Sequence, residues 1–352
     1  MSAQQRSATA TEPTGGYAAR MWEAGIGHRG GGRKGKRGDV NAVVPEAEFG
    51  SYYGRAVLKP PTWTHEIAYY LFTGGLASGC SMLAAVADAR GHTAARRGLR
   101  ITSLGAVGAS AYFLIVDLGR PDRFYNMLRM AKITSPMSVG TWILSAFGPL
   151  CGVAAVSEAA DLLPREGAAG ALRRLVRAGG SAAGAGAALT APLLATYTAV
   201  LFADTAVPSW HEPYRELPFV FGGSALAAGS GAALVLAPPA QTATAARLAA
   251  LGATAELVAA HRMESAHGIV SEPFHTGRPA RFLRAARALT VAGAAGAVLG
   301  RRSRVVAALS GVSLMAGSLL TRVAVFEAGV ASTLDPKYVV VPQRERLAAR
   351  AG

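Results

Sequence analysis

Apolar residues fill the middle of this chain in about eight long stretches between Ile67 and Val330, separated by short polar turns. The stretches are Ile67–Asp88, Ile101–Leu118, Val139–Leu163, Gly180–Ala203, Leu217–Ala237, Thr242–Ala260, Ala288–Gly300 and Val305–Val325. A helix needs roughly 20 apolar residues to cross a bilayer's hydrocarbon core. Six stretches meet that on length; Thr242–Ala260 carries Arg247 and Glu256, and Ala288–Gly300 is short. Backbone groups in lipid must be satisfied internally, so spans are helices or closed barrels, and barrel strands would alternate in polarity. These stretches are continuous, so the pattern predicts an all-α polytopic membrane protein of about eight transmembrane helices in two four-helix bundles. Gly75 with Gly79, and Gly311 with Gly317, sit among Ala and Ser, the small residues that let membrane helices approach closely.

The flanks follow a different pattern. Residues 1–48 are rich in Gly, Arg and Lys, contain nothing able to bury a core, and read as a disordered basic tail without the apolar centre of a signal peptide. Residues 49–66 read as an extended interfacial segment, 67–330 as the membrane domain, and 331–352 as a tail in which Ser332–Leu347 is extended and then polar. Between spans two and three, Gly119–Pro136 predicts an amphipathic interfacial helix. Pro121 suits its first position and Asp122 its positive dipole end, while Phe124, Met127 and Leu128 share a face.

Composition sharpens this picture. Of 352 residues, 51% are apolar and only 16% charged, where a soluble domain carries about 25% charge. The net charge of +15 lies mostly in loops and tails, where Lys and Arg meet anionic headgroups and set topology; a nucleic-acid partner is not expected. Arg90, Arg96, Arg97 and Arg100, then Arg165, Arg173, Arg174 and Arg177, then Arg301, Arg302 and Arg304 occupy the odd-numbered loops. The positive-inside rule puts those loops in the cytoplasm and the opposite face outward. Cys80 and Cys151, both inside spans, are too few to ligate an iron–sulfur cluster.

Ionisable groups within spans are functional candidates by default. Asp117, Glu158, Asp161, Glu256, Arg322 and Glu327 lie within or at the ends of spans; those at the ends, like Asp88, can simply reach headgroups or water. Glu256 stands among alanines and needs a polar cavity or an arginine partner, for which Arg322 is a candidate. The seven histidines avoid the apolar centres, against a bis-histidine haem, and no spacing supports a metal site. His65 beside Glu66 at the entrance to span one, and His211 after Trp210, are either interface residues or site residues. Tyr197 in span four is either a belt tyrosine or a hydrogen-bonding phenol.

Four strings then become informative together: WTHEIAYYLFTGGLASG from Trp63, DLGRPDRFYNML with SPMSVGTWIL after it, TYTAVLFADTAVPSWHE, and LLTRVAVFEAG. In this order, over Trp63 to Gly329, they resemble the integral membrane subunit of the polysulfide reductase and nitrite-reduction family (NrfD/PsrC). Val139 stands where that family has tryptophan, Ala199 where it often has glycine, and Val330 where it has glutamine. The resemblance implies a quinone-binding subunit (menaquinone or ubiquinone) in the cell membrane, with no haem or iron–sulfur cluster of its own. It would exchange electrons with a docked four-cluster ferredoxin-like subunit, which serves a molybdopterin oxidoreductase-type catalytic subunit. It further implies Tyr197 on the quinone head group, with His65 and Glu66 as the other polar contact. Asp117, Arg120, Trp210 and His211 would lie in partner-facing loops, and Glu256, Arg322 and Glu158 along a proton path. Two other classes stay open at this point: a proton-coupled secondary transporter, and a membrane anchor without chemistry.

Overall fold

The computed structural model describes residues 56–300 and 303–351. The basic tail, the start of the interfacial segment, Arg301 and Arg302 lie outside the described residues. Eight long apolar helices cross the molecule: α1 (His65–Ala89), α2 (Thr93–Val116), α3 (Pro136–Val156), α4 (Gly167–Ala203), α5 (Leu217–Leu236), α6 (Ala243–Ser265), α7 (Gly277–Leu299) and α8 (Arg304–Leu334). A ninth helix, α9 (Lys337–Ala351), follows. The protein is therefore an all-α polytopic membrane protein. Helices α1–α4 form one four-helix bundle and α5–α8 a second, joined mainly where α1 and α4 meet α5.

Burial follows this plan. The apolar windows of α1 and α5 are 67% and 72% buried, against 28% for α2, α3 and α7. The first pair forms the seam between bundles, while the others present Ile101, Tyr112, Val153 and Val291 outward, as a bilayer-facing surface requires. The seam is built on glycine. A Cβ on Gly79 of α1 would lie 2.2 Å from the Ala225 carbonyl oxygen and 2.9 Å from the Gly229 backbone, so α1 and α5 touch main chain to main chain. Gly311 meets Gly231 in the same way on the α5–α8 crossing. The turn from α1 to α2 uses Gly91 at φ +68°, with the His92 N–H bonded back to the Ala87 carbonyl, an αL glycine closing the helix end.

Three readings of the chain change here. The span expected as Ala288–Gly300 starts eleven residues earlier, at Gly277. Four arginines hid its first turns: Arg278, Arg281 and Arg284 are exposed, and Arg287 pairs with Glu264. The segment read as extended, Ser332–Leu347, is helical almost throughout, because Asp335 accepts the Lys337 N–H and Pro336 starts the new helix. The Gly119–Pro136 segment is a 3₁₀ helix over Pro121–Arg129. Its Phe124, Met127 and Leu128 do share a face, and with Ala111, Leu114 and Ile115 of α2 and Leu144 of α3 they line an open pocket of about 240 Å³.

At the end of the molecule carrying the α1–α2 turn, two arginines and two carboxylates interlock. Arg96 donates to both oxygens of Glu158, at 2.8 and 2.9 Å, and to Asp88 at 3.0 Å; Arg100 donates to Glu158 and to Asp88, each at 2.8 Å. The cluster is neutral, bidentate in part, and closes α1, α2 and the 3₁₀ turn after α3 on one another. Two of the arginines expected to anchor a cytoplasmic loop are thus spent inside the protein. Replacing Glu158 with alanine would leave two buried guanidinia facing one partly exposed carboxylate. Glu158→Ala should lose about 3–5 kcal/mol of stability, read as a lowered midpoint of thermal unfolding in mild detergent; an unchanged midpoint would show the clasp to be dispensable.

Candidate functional site

The opposite end gathers the four strings. Trp63, just before α1, stacks on Phe202 of α4 and on Trp210, with centroids 5.8 Å away in each case, and Phe202 and Trp210 lie 4.2 Å apart and nearly parallel. The Trp210 indole N–H donates to the Val325 carbonyl of α8 at 2.7 Å. Gly329 leaves the room: any Cβ there would overlap the indole. Beside this stack, Thr64 donates its N–H and its hydroxyl to Asp117 Oδ1 at 3.0 and 2.6 Å, tying the start of α1 to the end of α2. His65 Nε2 lies 3.0 Å from Glu327 Oε1 on α8, with Arg278 3.7 Å from the same oxygen.

One turn inward, Tyr197 of α4 and Tyr70 of α1 face each other, their phenol groups close enough to interact. The Tyr197 ring lies directly over Gly140 of α3, where a Cβ would fall 1.7 Å from Cζ. Glu66 precedes Tyr70 by four residues and so shares its helix face; it also lies near Asp117. The cluster of Glu66, Tyr70, Tyr197 and Asp117 offers two phenols and two carboxyls beside a membrane face.

Deeper still, Arg322 of α8 is fully buried. It donates to the Leu71 carbonyl of α1 at 3.1 Å, the Phe221 carbonyl of α5 at 3.0 Å, and the Ser224 and Ser318 hydroxyls at 2.7 and 3.0 Å. Gly75 opposite it has no side chain to obstruct Nη2. Glu256 of α6 accepts from the Thr321 hydroxyl at 2.7 Å. Its other oxygen is buried without a hydrogen-bond partner among the described residues.

Set against the expectations, the structure separates residues the sequence grouped. Tyr197 and Glu66 lie on the cluster, but His65 is turned toward α8 and its Glu327. Trp210 corrects an expectation: it is wholly buried, so it cannot face a partner, because its indole fills the space between α4 and α8. His211 and Arg120 are exposed, and His211 Nδ1 donates to the Ala203 carbonyl at 2.7 Å, closing the end of α4. Glu158 lies at the far end in the arginine clasp. Tyr70, Thr321 and Gly140 were missed, and Glu327 was named only as an end-lying carboxylate able to reach water. Tyr70 and Gly140 stand within the quoted strings, and only the fold shows that they touch Tyr197. The helices run on through Pro149 and Pro192, unlike the broken, matched helices of secondary transporters. No group of three or more His, Cys, Asp or Glu side chains among the described residues is placed to hold a metal.

Eight apolar helices with an aromatic and carboxylate cluster at one end define a multi-pass membrane subunit. A family model described as "Polysulphide reductase, NrfD" matches residues 57–251, and the chain belongs to that family of membrane subunits of oxidoreductase complexes. The match spans the first three strings, and the fourth packs on them. No curated protein matches the chain.

Burial, opposed by the two Thr64 hydrogen bonds and aided by the charge of Glu66, holds the Asp117 carboxyl above its ordinary value of 3.8. The native state therefore binds this proton more tightly than the unfolded chain. Its contribution to stability is complete below about pH 4 and is lost as pH rises through the folded value. Thermal stability of the protein in detergent should fall over that window more steeply than that of Asp117→Asn; parallel profiles would show that Asp117 titrates normally.

Proposed function

We propose that this chain is the quinone-handling membrane subunit of a multi-subunit oxidoreductase, exchanging electrons between a membrane quinone and an iron–sulfur subunit docked at the Trp63–Trp210 end. The observation that supports it most is the Tyr70–Tyr197 hydroxyl pair, set over Gly140 and next to Glu66 and Asp117, in a chain of the NrfD family. Quinol oxidation releases two protons with two electrons, so its site needs hydrogen-bonding groups at the two ring oxygens and an apolar approach for the tail. Tyr197 offers its hydroxyl to one quinone oxygen, oriented by Tyr70. Glu66 exchanges the proton with water at the membrane face. His65, held by Glu327, serves the same edge from the α8 side.

The docked partner is a four-cluster ferredoxin-like protein in contact with the exposed Arg120 and His211, and it in turn feeds a molybdopterin-type catalytic subunit. The face carrying the site is outward, with the loops bearing Arg90, Arg97, Arg165 and Arg174 in the cytoplasm. Glu256, with an unpartnered oxygen beside Thr321 and near Arg322, is the group placed to carry a proton through the second bundle.

Tagged protein purified in mild detergent should bring with it a subunit containing several iron–sulfur clusters and a solvent-extractable quinone. Tyr197→Phe should then lower kcat/KM for quinone about tenfold or more, a loss of about 1.4 kcal/mol, with the assembly intact. Equal turnover would remove Tyr197 from the site, and a partnerless, quinone-free monomer would overturn the reading.

A further inference from the structure

A groove of about 410 Å³ opens on the bilayer-facing side of the first bundle, between α3, α4 and the chain at residues 131–133. That volume falls within the roughly 300–1,000 Å³ of small-molecule sites. Ala131, Ile133, Val139, Ile143, Ala146 and Leu193 make it apolar, and Lys132 is its single charged lining residue. The hydroxyls inside it are already used. Ser138 donates to the Met130 carbonyl at 2.7 Å, and Thr190 to the Gly186 and Ala187 carbonyls at 3.0 and 3.1 Å. The Trp142 indole N–H is likewise engaged by the Met130 carbonyl, at 3.0 Å. A ligand with a polar head would find no spare donor within the groove; a hydrocarbon chain needs none.

The mouth is different. Lys132 is exposed, and its backbone N–H is fixed on Ser138 at 2.9 Å, so the three bonds to Met130 and Ser138 pin the turn that carries it. Arg129 precedes it by three residues and is also exposed. Asp122, the acid of this segment, lies beside Arg123, and among the described residues no carboxylate pairs with Lys132 or Arg129. The turn lies just before the start of α3, at the level where a membrane helix meets headgroups, and there an unpaired Lys or Arg attracts an anionic headgroup by about 1 kcal/mol.

We infer that this groove is a binding site for one anionic phospholipid, its phosphate held at Lys132 and Arg129 and one acyl chain lying along Val139, Ile143 and Leu193. The site is separate from the Tyr70–Tyr197 cluster and does not depend on its role. Charge complementarity selects the occupant: apolar throughout the interior, cationic only at the rim.

The test titrates delipidated full-length protein in detergent with dioleoylphosphatidylglycerol, dioleoylphosphatidylcholine or oleate and counts bound molecules by native mass spectrometry. Wild-type protein should retain one phosphatidylglycerol in preference to phosphatidylcholine. Lys132→Gln should reduce that preference about fivefold without altering the melting profile. Val139→Trp, which fills the groove, should abolish retention of both lipids. Equal retention of the two lipids by the wild-type protein would overturn the assignment, as would a preference unchanged in Lys132→Gln or tighter binding of oleate than of phosphatidylglycerol.

Discussion

A fully buried guanidinium sets the terms for the rest of this molecule. An arginine at the centre of a membrane helix costs about 2.5–3.5 kcal/mol even on the lenient insertion scales, so Arg322 is tolerable only if every donor is met. Its partners come from three helices: carbonyls of α1 and α5, and hydroxyls of α5 and of its own helix. The same side chain thus spans both bundles at the seam where Gly79 and Gly229 let α1 and α5 touch. Gly75 is part of the same solution, since a side chain there would displace Nη2. The helices α1, α5 and α8 are fixed relative to one another by this one hub, and the site at the end of α1 and α8 inherits its geometry from it.

The two ends of the bundle satisfy their polar groups by opposite means. At one end Arg96, Arg100, Asp88 and Glu158 neutralise one another in a closed ionic clasp, with both glutamate oxygens occupied. Such a network rigidifies but leaves no proton-accepting group free. At the other end hydroxyls, indoles and carboxyls predominate, joined in small separate contacts: Thr64 to Asp117 and His65 to Glu327, with Tyr70 beside Tyr197. Small contacts between neutral or titratable groups can be remade with a ligand. The asymmetry is why the proposed site is put at the end where α1 begins.

Much of this was legible in the sequence. Continuous apolar runs gave the eight helices, because length and hydropathy are properties of each segment alone. The errors arose where a segment's neighbours decide its state. Arg278, Arg281 and Arg284 masked the start of α7, since a window average cannot tell an arginine that reaches the membrane surface from one that ends a span. The valines of Val339–Val341 argued for extension, yet Asp335 and Pro336 start a helix that tolerates them. For the site, residue types were readable and partners were not. Glu158 and Glu256 look alike in sequence, each a carboxylate in an alanine-rich stretch. One is locked by two arginines, while the other keeps an oxygen unbonded.

The recurring strings also divide, once their contacts are known, into letters that hold the fold and letters left over for chemistry. Trp63, Phe202, Trp210 and Gly329 form one stacked core, with the Trp210 N–H already bonded to Val325. Thr64 is committed to Asp117, and Gly140 exists in that form because the Tyr197 ring lies on it. These residues explain why strings so distant along the chain belong together: each string supplies a part that another string fills. What packing does not account for is the hydroxyl pair of Tyr70 and Tyr197, the carboxyl of Glu66 near Asp117, and the imidazole of His65 on Glu327. A packed core would be served as well by phenylalanine at both tyrosines. Two neighbouring phenols, one turn below a carboxylate and beside a membrane face, are therefore the part of the pattern on which the proposed quinone chemistry rests.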